Sequence, residues 1–81
     1  MNEIERDGLL KQASIAALAE ARLASAKWKP FNSCHEGYAV ILEELDELWD
    51  EIKKKSPDKD QLRLEARQIA AMAIRFVAEL T

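Results

Sequence analysis

Residues 33–55 read Ser-Cys-His-Glu-Gly-Tyr-Ala-Val-Ile-Leu-Glu-Glu-Leu-Asp-Glu-Leu-Trp-Asp-Glu-Ile-Lys-Lys-Lys, and this stretch decides the fold. Ser33 and Glu36 have the spacing of a capping box, in which the hydroxyl accepts from a first-turn amide and the carboxylate reaches back to the cap residue's own amide. A helix is expected to start there. Tyr38, Ile41, Leu42, Leu45, Leu48, Trp49 and Ile52 then recur with helical period and define its expected core stripe. Lys53, Lys54 and Lys55 place positive charge where the helix dipole is negative, and Pro57 closes the segment.

Two breaks, Lys29-Pro30-Phe31-Asn32 and Ser56-Pro57-Asp58, separate this helix from a helical stretch on either side. In the first stretch Leu10, Ala13, Ala17, Ala21, Ala24 and Trp28 fall on one stripe, while Ile15, Ala19, Leu23 and Ala26 fall on another side. Small alanines let helix axes approach closely, which suits a helix packed between its own domain and a second subunit. The third stretch is capped either by Ser56 ahead of Pro57 or by Asp58 with Gln61 three residues on. Its core stripe is Leu62, Ala66, Ile69, Ala73, Phe76, Val77 and Leu80, so the helix is expected to run almost to Thr81.

The fold class that follows is all-α: a three-helix unit with an antiparallel hairpin, filling residues 1–81 as one domain and assembling into an oligomeric helical bundle. At 81 residues a lone helical unit buries only a modest core, which is why oligomerisation is expected to add stability. Hydrophobic residues at 48% and charged ones at 33%, with two glycines and two prolines, exclude disordered and disulfide-scaffold classes. The formal charge of -3, without a basic stripe interleaved with aromatics, argues against a polynucleotide ligand. No apolar run approaches the roughly 18 residues of a bilayer span, no charged-then-apolar leader opens the chain, and the single Cys34 has no intrachain partner. No membrane association and a reducing cytoplasm are therefore expected. Cys34 is read as a partly buried small residue, His35 as structural or peripheral, Tyr38 and Trp49 as core, and Arg63, Arg67 and Arg75 as solvated surface.

Six of the nine residues from Glu43 to Glu51 are acidic, and at roughly 100° per residue Glu44, Glu47 and Glu51 share one side of the helix. Each like-charge pair at that spacing costs on the order of 0.2 to 0.5 kcal/mol, and no basic residue on the helix body offsets it. A divalent cation reverses the sign, and a set of carboxylates suits the hard ion Mg²⁺ better than zinc. On the third helix Glu65 lies close to the apolar stripe with Gln68 beside it, a costly place for a carboxylate without a partner. With the second and third helices antiparallel, Glu65 faces Glu44 and Glu47 across a groove; pairing with Arg63, Arg67 or a partner subunit is the other account of it.

Glu43-Glu44-Leu45-Asp46-Glu47, followed after a spacer by Glu65-Ala66-Arg67-Gln68, resembles the EExxE...ExxD signature of the MazG-like all-α NTP pyrophosphohydrolases. Residues 30–55, with Phe31-Asn32-Ser33-Cys34-His35-Glu36-Gly37-Tyr38 leading into Glu43, are similar to small phage and bacterial members, and the resemblance spans about residues 30–80. It implies hydrolysis of a nucleoside triphosphate, (d)NTP, to the monophosphate and pyrophosphate by a homodimer or homotetramer that uses Mg²⁺ or Mn²⁺. Carried over by position, Glu44, Glu47, Glu65 and Gln68 are the metal ligands, and Glu43 and Glu47 the residues expected to act in catalysis. Gln68 stands where the signature has its last aspartate, and offers a neutral carbonyl oxygen instead. The alternative from a different class is a catalytically weakened or inactive helical module of the same fold, used for self-association or partner binding.

Overall fold

A computed structural model describes all residues, Met1–Thr81. Three helices follow the two breaks: α1 (Glu3–Lys27), α2 (Cys34–Ile52) and α3 (Lys59–Leu80), with no strand. Each begins on a polar cap, as orphan first-turn amides require. Asn2 accepts from the Glu5 amide, Ser33 from the Glu36 amide, and Asp58 from the Asp60 and Gln61 amides. Asp58, not Ser56, is thus the cap of α3. The Glu36 carboxylate does not turn back to Ser33; it grips Asn32, through the backbone N–H at 3.2 Å and the side-chain amide at 2.9 Å. This fixes the α1–α2 connection against the start of α2.

Helix α3 packs against both other helices, while α1 and α2 make no close approach to each other. The result is an open arrangement of 40 × 32 × 19 Å with a groove between α1 and α2, floored by α3. The small core gathers Ala21, Phe31, Ala71 and Met72, with Ala24, Val40, Ile41, Phe76 and Leu80 packed against it. Gly37 is what lets α2 settle on α3: a Cβ there would lie 2.6 Å from the Phe76 ring and 2.9 Å from Leu80.

The expected stripes are only partly the buried ones. On α2 the face against α3 runs through Gly37, Val40, Ile41, Glu44, Leu48 and Glu51, whereas Tyr38, Leu42, Leu45, Trp49 and Ile52 are exposed. The hydrophobic arc of this helix is wider than one neighbour can cover, so the part offset from α3 stays in solvent. On α1 Ala17 and Ala21 are buried, but Leu10 and Ala13 lie in the first half of this long helix, which has no buried residue, and Trp28, the residue that caps its end, is exposed beside the groove. On α3 Ala71, Met72 and Arg75 are buried, while Ala66, Ala73 and Val77 of the expected stripe are exposed.

Two buried charges brace the connections. The Glu51 carboxylate accepts from Lys54 Nζ at 3.0 Å and from the Asp58 backbone N–H at 3.3 Å, tying the end of α2 to the start of α3. Arg75 was expected at the surface and is instead 4% exposed. Its guanidinium donates to Glu79 at 2.9 Å and to the Lys29 carbonyl at 3.1 Å, and lies 4.4 Å from the centre of the Phe31 ring. Glu79 accepts from the Phe31 amide at 2.8 Å and is held below the usual carboxylate range by its hydrogen bond to Arg75. The α1–α2 connection is thereby pinned to the last turns of α3.

Candidate metal centre

Glu44 and Glu47 are one turn apart on α2, and Glu65 rises from α3 across from them. Each offers a carboxylate oxygen, and these three oxygens lie within 4.8 Å of one another. Glu44 and Glu65 are half-buried and Glu47 is exposed, so the cluster sits at the lip of the α2–α3 contact. Gln61, one turn before Glu65, donates its side-chain amide to it at 2.7 Å and fixes its direction. Neither Arg63 nor Arg67 pairs with Glu65; Arg63 goes to Asp60 at 2.8 Å.

Crowding these acids has the expected electrostatic consequence. The Glu44 carboxyl is raised from 4.5 to about 7, first by burial, then by the neighbouring charges of Glu47 and Glu65. Glu47 is raised too, first by loss of water around its carboxylate and then by the hydrogen bond and charge of Glu65. Three carboxylates at this spacing hold protons or need a cation. The donor set is of the chemical kind that Mg²⁺ takes, hard carboxylate oxygens that leave the other positions of an octahedral ion to water or to a ligand.

The other acidic residues separate by role. Glu43 is exposed outside the cluster, yet its charge contributes to the upward shifts of Glu44 and Glu47. Glu51, which shares the helix side of Glu44 and Glu47, is consumed by the α2–α3 connection. Gln68 lies one turn beyond Glu65 and donates its amide to Glu20 of α1 at 2.6 Å, bridging the two helices. Sequence reading missed Glu20, although it is the carboxylate set among Ala17, Ala21 and Ala24, the small residues that bring α1 against α3.

Two concavities flank the cluster. The groove between α1 and α2 encloses about 760 Å³ and reaches from Glu44 past Gln68 and Glu20 to Phe31 and Arg75. A wholly polar cleft of about 360 Å³ lies on the other side, against Glu47, Glu65 and Glu51. The groove falls within the usual range for a small-molecule site, and Glu44 stands at the junction of its wall and the carboxylate cluster. No family model, curated protein or solved structure matches this chain.

Proposed function

We propose that the chain is a Mg²⁺-dependent hydrolase of nucleoside triphosphates, resembling the MazG-like pyrophosphohydrolases and releasing nucleoside monophosphate and pyrophosphate. The observation that carries this reading is the convergence of Glu44, Glu47 and Glu65 beside a groove of ligand size. Glu44, Glu47 and Glu65 would hold Mg²⁺ or Mn²⁺, with the Gln68 carbonyl oxygen the further donor at the signature's last position. The ion would neutralise the polyphosphate and acidify a bound water. Glu47, the most exposed of the three, would orient that water, and Glu43 would serve as the accessory acid at the rim. Incubation of the protein with a panel of nucleoside triphosphates and Mg²⁺ or Mn²⁺ is expected to yield pyrophosphate and monophosphate. Absence of product from every nucleotide overturns the reading.

The assembly belongs to the same proposal. Helices α2 and α3 form an antiparallel hairpin, supported by the contact of Gly37 with Phe76 and Leu80 at one end and of Glu51 with Asp58 at the other. This hairpin pairs with a second copy as a homodimer or homotetramer. No helix is long and apolar enough to cross a membrane, and the lone exposed Cys34 suits a reducing cytoplasm. A second reading, a helical module that only self-associates, draws on the exposed run Tyr38, Leu42, Leu45, Trp49 and Ile52, whose spacing of four and three is that of a coiled-coil seam. Turnover that disappears in Glu47→Gln, with unchanged oligomeric state, rejects that second reading.

A further inference from the structure

The side of the α2–α3 pair turned away from the groove is apolar on both helices. Val40 and Glu44 mark the groove side of α2, and on its opposite side lies the exposed row Tyr38, Leu42, Leu45, Trp49 and Ile52. Gln68, Met72 and Arg75 mark the groove side of α3, and opposite them Ala66, Ala70, Ala73 and Val77 are all exposed. This second row has spacings of four, three and four, so it runs straight along α3 beside the row of α2. One row is bulky and the other small. Their borders also differ in charge. Asp46 stands on the edge of the α2 row away from α3, with Glu43 and Asp50 a turn to either side, whereas Arg63 and Arg67 stand on the edge of the α3 row away from α2. Neither Asp46 nor Arg67 has an ion pair within the chain.

We infer that this face receives the same face of a second copy, with the α2 row of each copy seated on the α3 row of the other and the two-fold axis parallel to the helices. The inference rests on the antiparallel hairpin and the self-association proposed above, and not on metal or hydrolysis. Two such hairpins can close face to face in two ways. With the axis across the helices, α2 meets α2: bulky side chains oppose bulky ones, Asp46 meets the acidic border of the partner, and alanines face alanines across a gap. With the axis along the helices, α2 meets α3: Leu42 and Leu45 fill the space above the alanines, as close packing requires, and the acidic border meets the basic one. Rotation about that axis leaves heights unchanged. Since Glu47 and Glu65 lie side by side within one copy, Asp46 comes level with the partner's Arg67 to within a turn. The occupant is a second copy because the chain's 6349 Å² of accessible surface exceeds that of a compact monomer of 9.2 kDa by more than the roughly 800 Å² that one partner buries. The groove stays open on the outside of the pair.

Charge reversal tests the arrangement. Sedimentation equilibrium in metal-free buffer gives the dissociation constant of the full chain, of Asp46→Lys, of Arg67→Glu and of the double variant. Each single reversal is expected to weaken association about tenfold, because a dimer holds the pair twice, and the double variant should return to within a few-fold of the parent. Added salt should narrow these differences. Ala70→Leu is a charge-free check at a position exposed in the lone chain. It should weaken the dimer by overfilling the alanine row, whereas in the other arrangement it would fill the gap and tighten it. Tighter association of Asp46→Lys or of Ala70→Leu, single reversals without effect, or a double variant that fails to recover overturns the inference. A parent that stays monomeric overturns it together with the proposed self-association, whereas an oligomer with the wrong response to charge overturns this arrangement alone. Neither outcome touches the nucleotide hydrolysis, which has its own assay.

Discussion

Glu44 is the residue whose chemistry is most constrained by its surroundings. Its carboxyl is raised from 4.5 to about 7 in the fold, so between those values the folded chain binds a proton that the unfolded chain releases. The stabilisation this gives is complete below about 4.5 and is lost as the pH rises toward 7. In metal-free buffer Glu44→Gln should therefore become more stable relative to the parent as the pH rises through that window, by on the order of 1 kcal/mol after solvent screening. Thermal melts of the two proteins measure it, and parallel curves would contradict it. On the proposed metal-site reading Mg²⁺ would act with the opposite sign, since it would bind the ionised carboxylates of the folded state: its stabilising effect on the parent should grow with pH and vanish in Glu44→Gln. Arg75 is a second decisive residue. Arg75→Leu leaves Glu79 half-buried beside the Phe31 amide without its cation, at a cost of about 3 kcal/mol in denaturant unfolding. The double variant Arg75→Leu, Glu79→Leu should recover part of that loss, because much of it is the stranded charge.

The two glycines make opposite predictions at the scale of the helix. Both lie inside helices, where glycine costs about 1 kcal/mol relative to alanine. Nothing lies within 4 Å of a Cβ at position 8, so Gly8→Ala should stabilise the chain by up to about 1 kcal/mol. At position 37 the same methyl would sit 2.6 Å from the edge of the Phe76 ring, and Gly37→Ala should destabilise by roughly 1–3 kcal/mol despite its better propensity. Chemical denaturation of both variants tests the pair, and the same sign for both rejects the close approach. Helices of this kind are legible in sequence where the signal is local: Ser33, Asp58 and Pro57 mark boundaries because caps and stops act within one turn. Glu44, Glu47 and Glu65 were legible for the same reason, two by spacing along a helix and the third by its awkward place beside an apolar stripe. Glu20 and buried Arg75 were not. Their roles depend on where α1 crosses α3 and where the α1–α2 connection folds back, and neither is encoded in a window of neighbouring residues. The face of α2 was misread for a related reason, since periodicity measures how wide a hydrophobic arc is but not how many helices cover it.

The molecule as a whole has too much surface for its mass. Its accessible area is 6349 Å², about 1,400 Å² more than the roughly 4,900 Å² of a compact monomer of 9.2 kDa. That excess exceeds the roughly 800 Å² that each partner buries in a standard protein interface. Part of it is the open groove and the projecting first half of α1, which has no buried residue before Ala17. The rest includes the seam on α2, where Tyr38 is 64% exposed, Leu45 48% and Trp49 56%. Glu44 and Glu47 lie off this seam, toward α3, so a partner seated on it leaves the carboxylate cluster and the groove open to a ligand. Covering the seam with a second copy at roughly 25 cal/mol per Å² of apolar area would add stability that the thin core lacks. Leu45→Asp, at the middle of the seam, places a charge where the two copies would meet. It should turn an oligomer into a monomer by light scattering coupled to size-exclusion chromatography, and lower the thermal midpoint in a concentration-independent way, while the parent's midpoint rises with protein concentration. Leu45→Met, which keeps the apolar volume, should leave the assembly intact. A parent that is already monomeric would overturn the self-association itself, whereas an oligomeric Leu45→Asp protein of unchanged mass would remove the seam from the interface and leave α1 as the face that meets a neighbour.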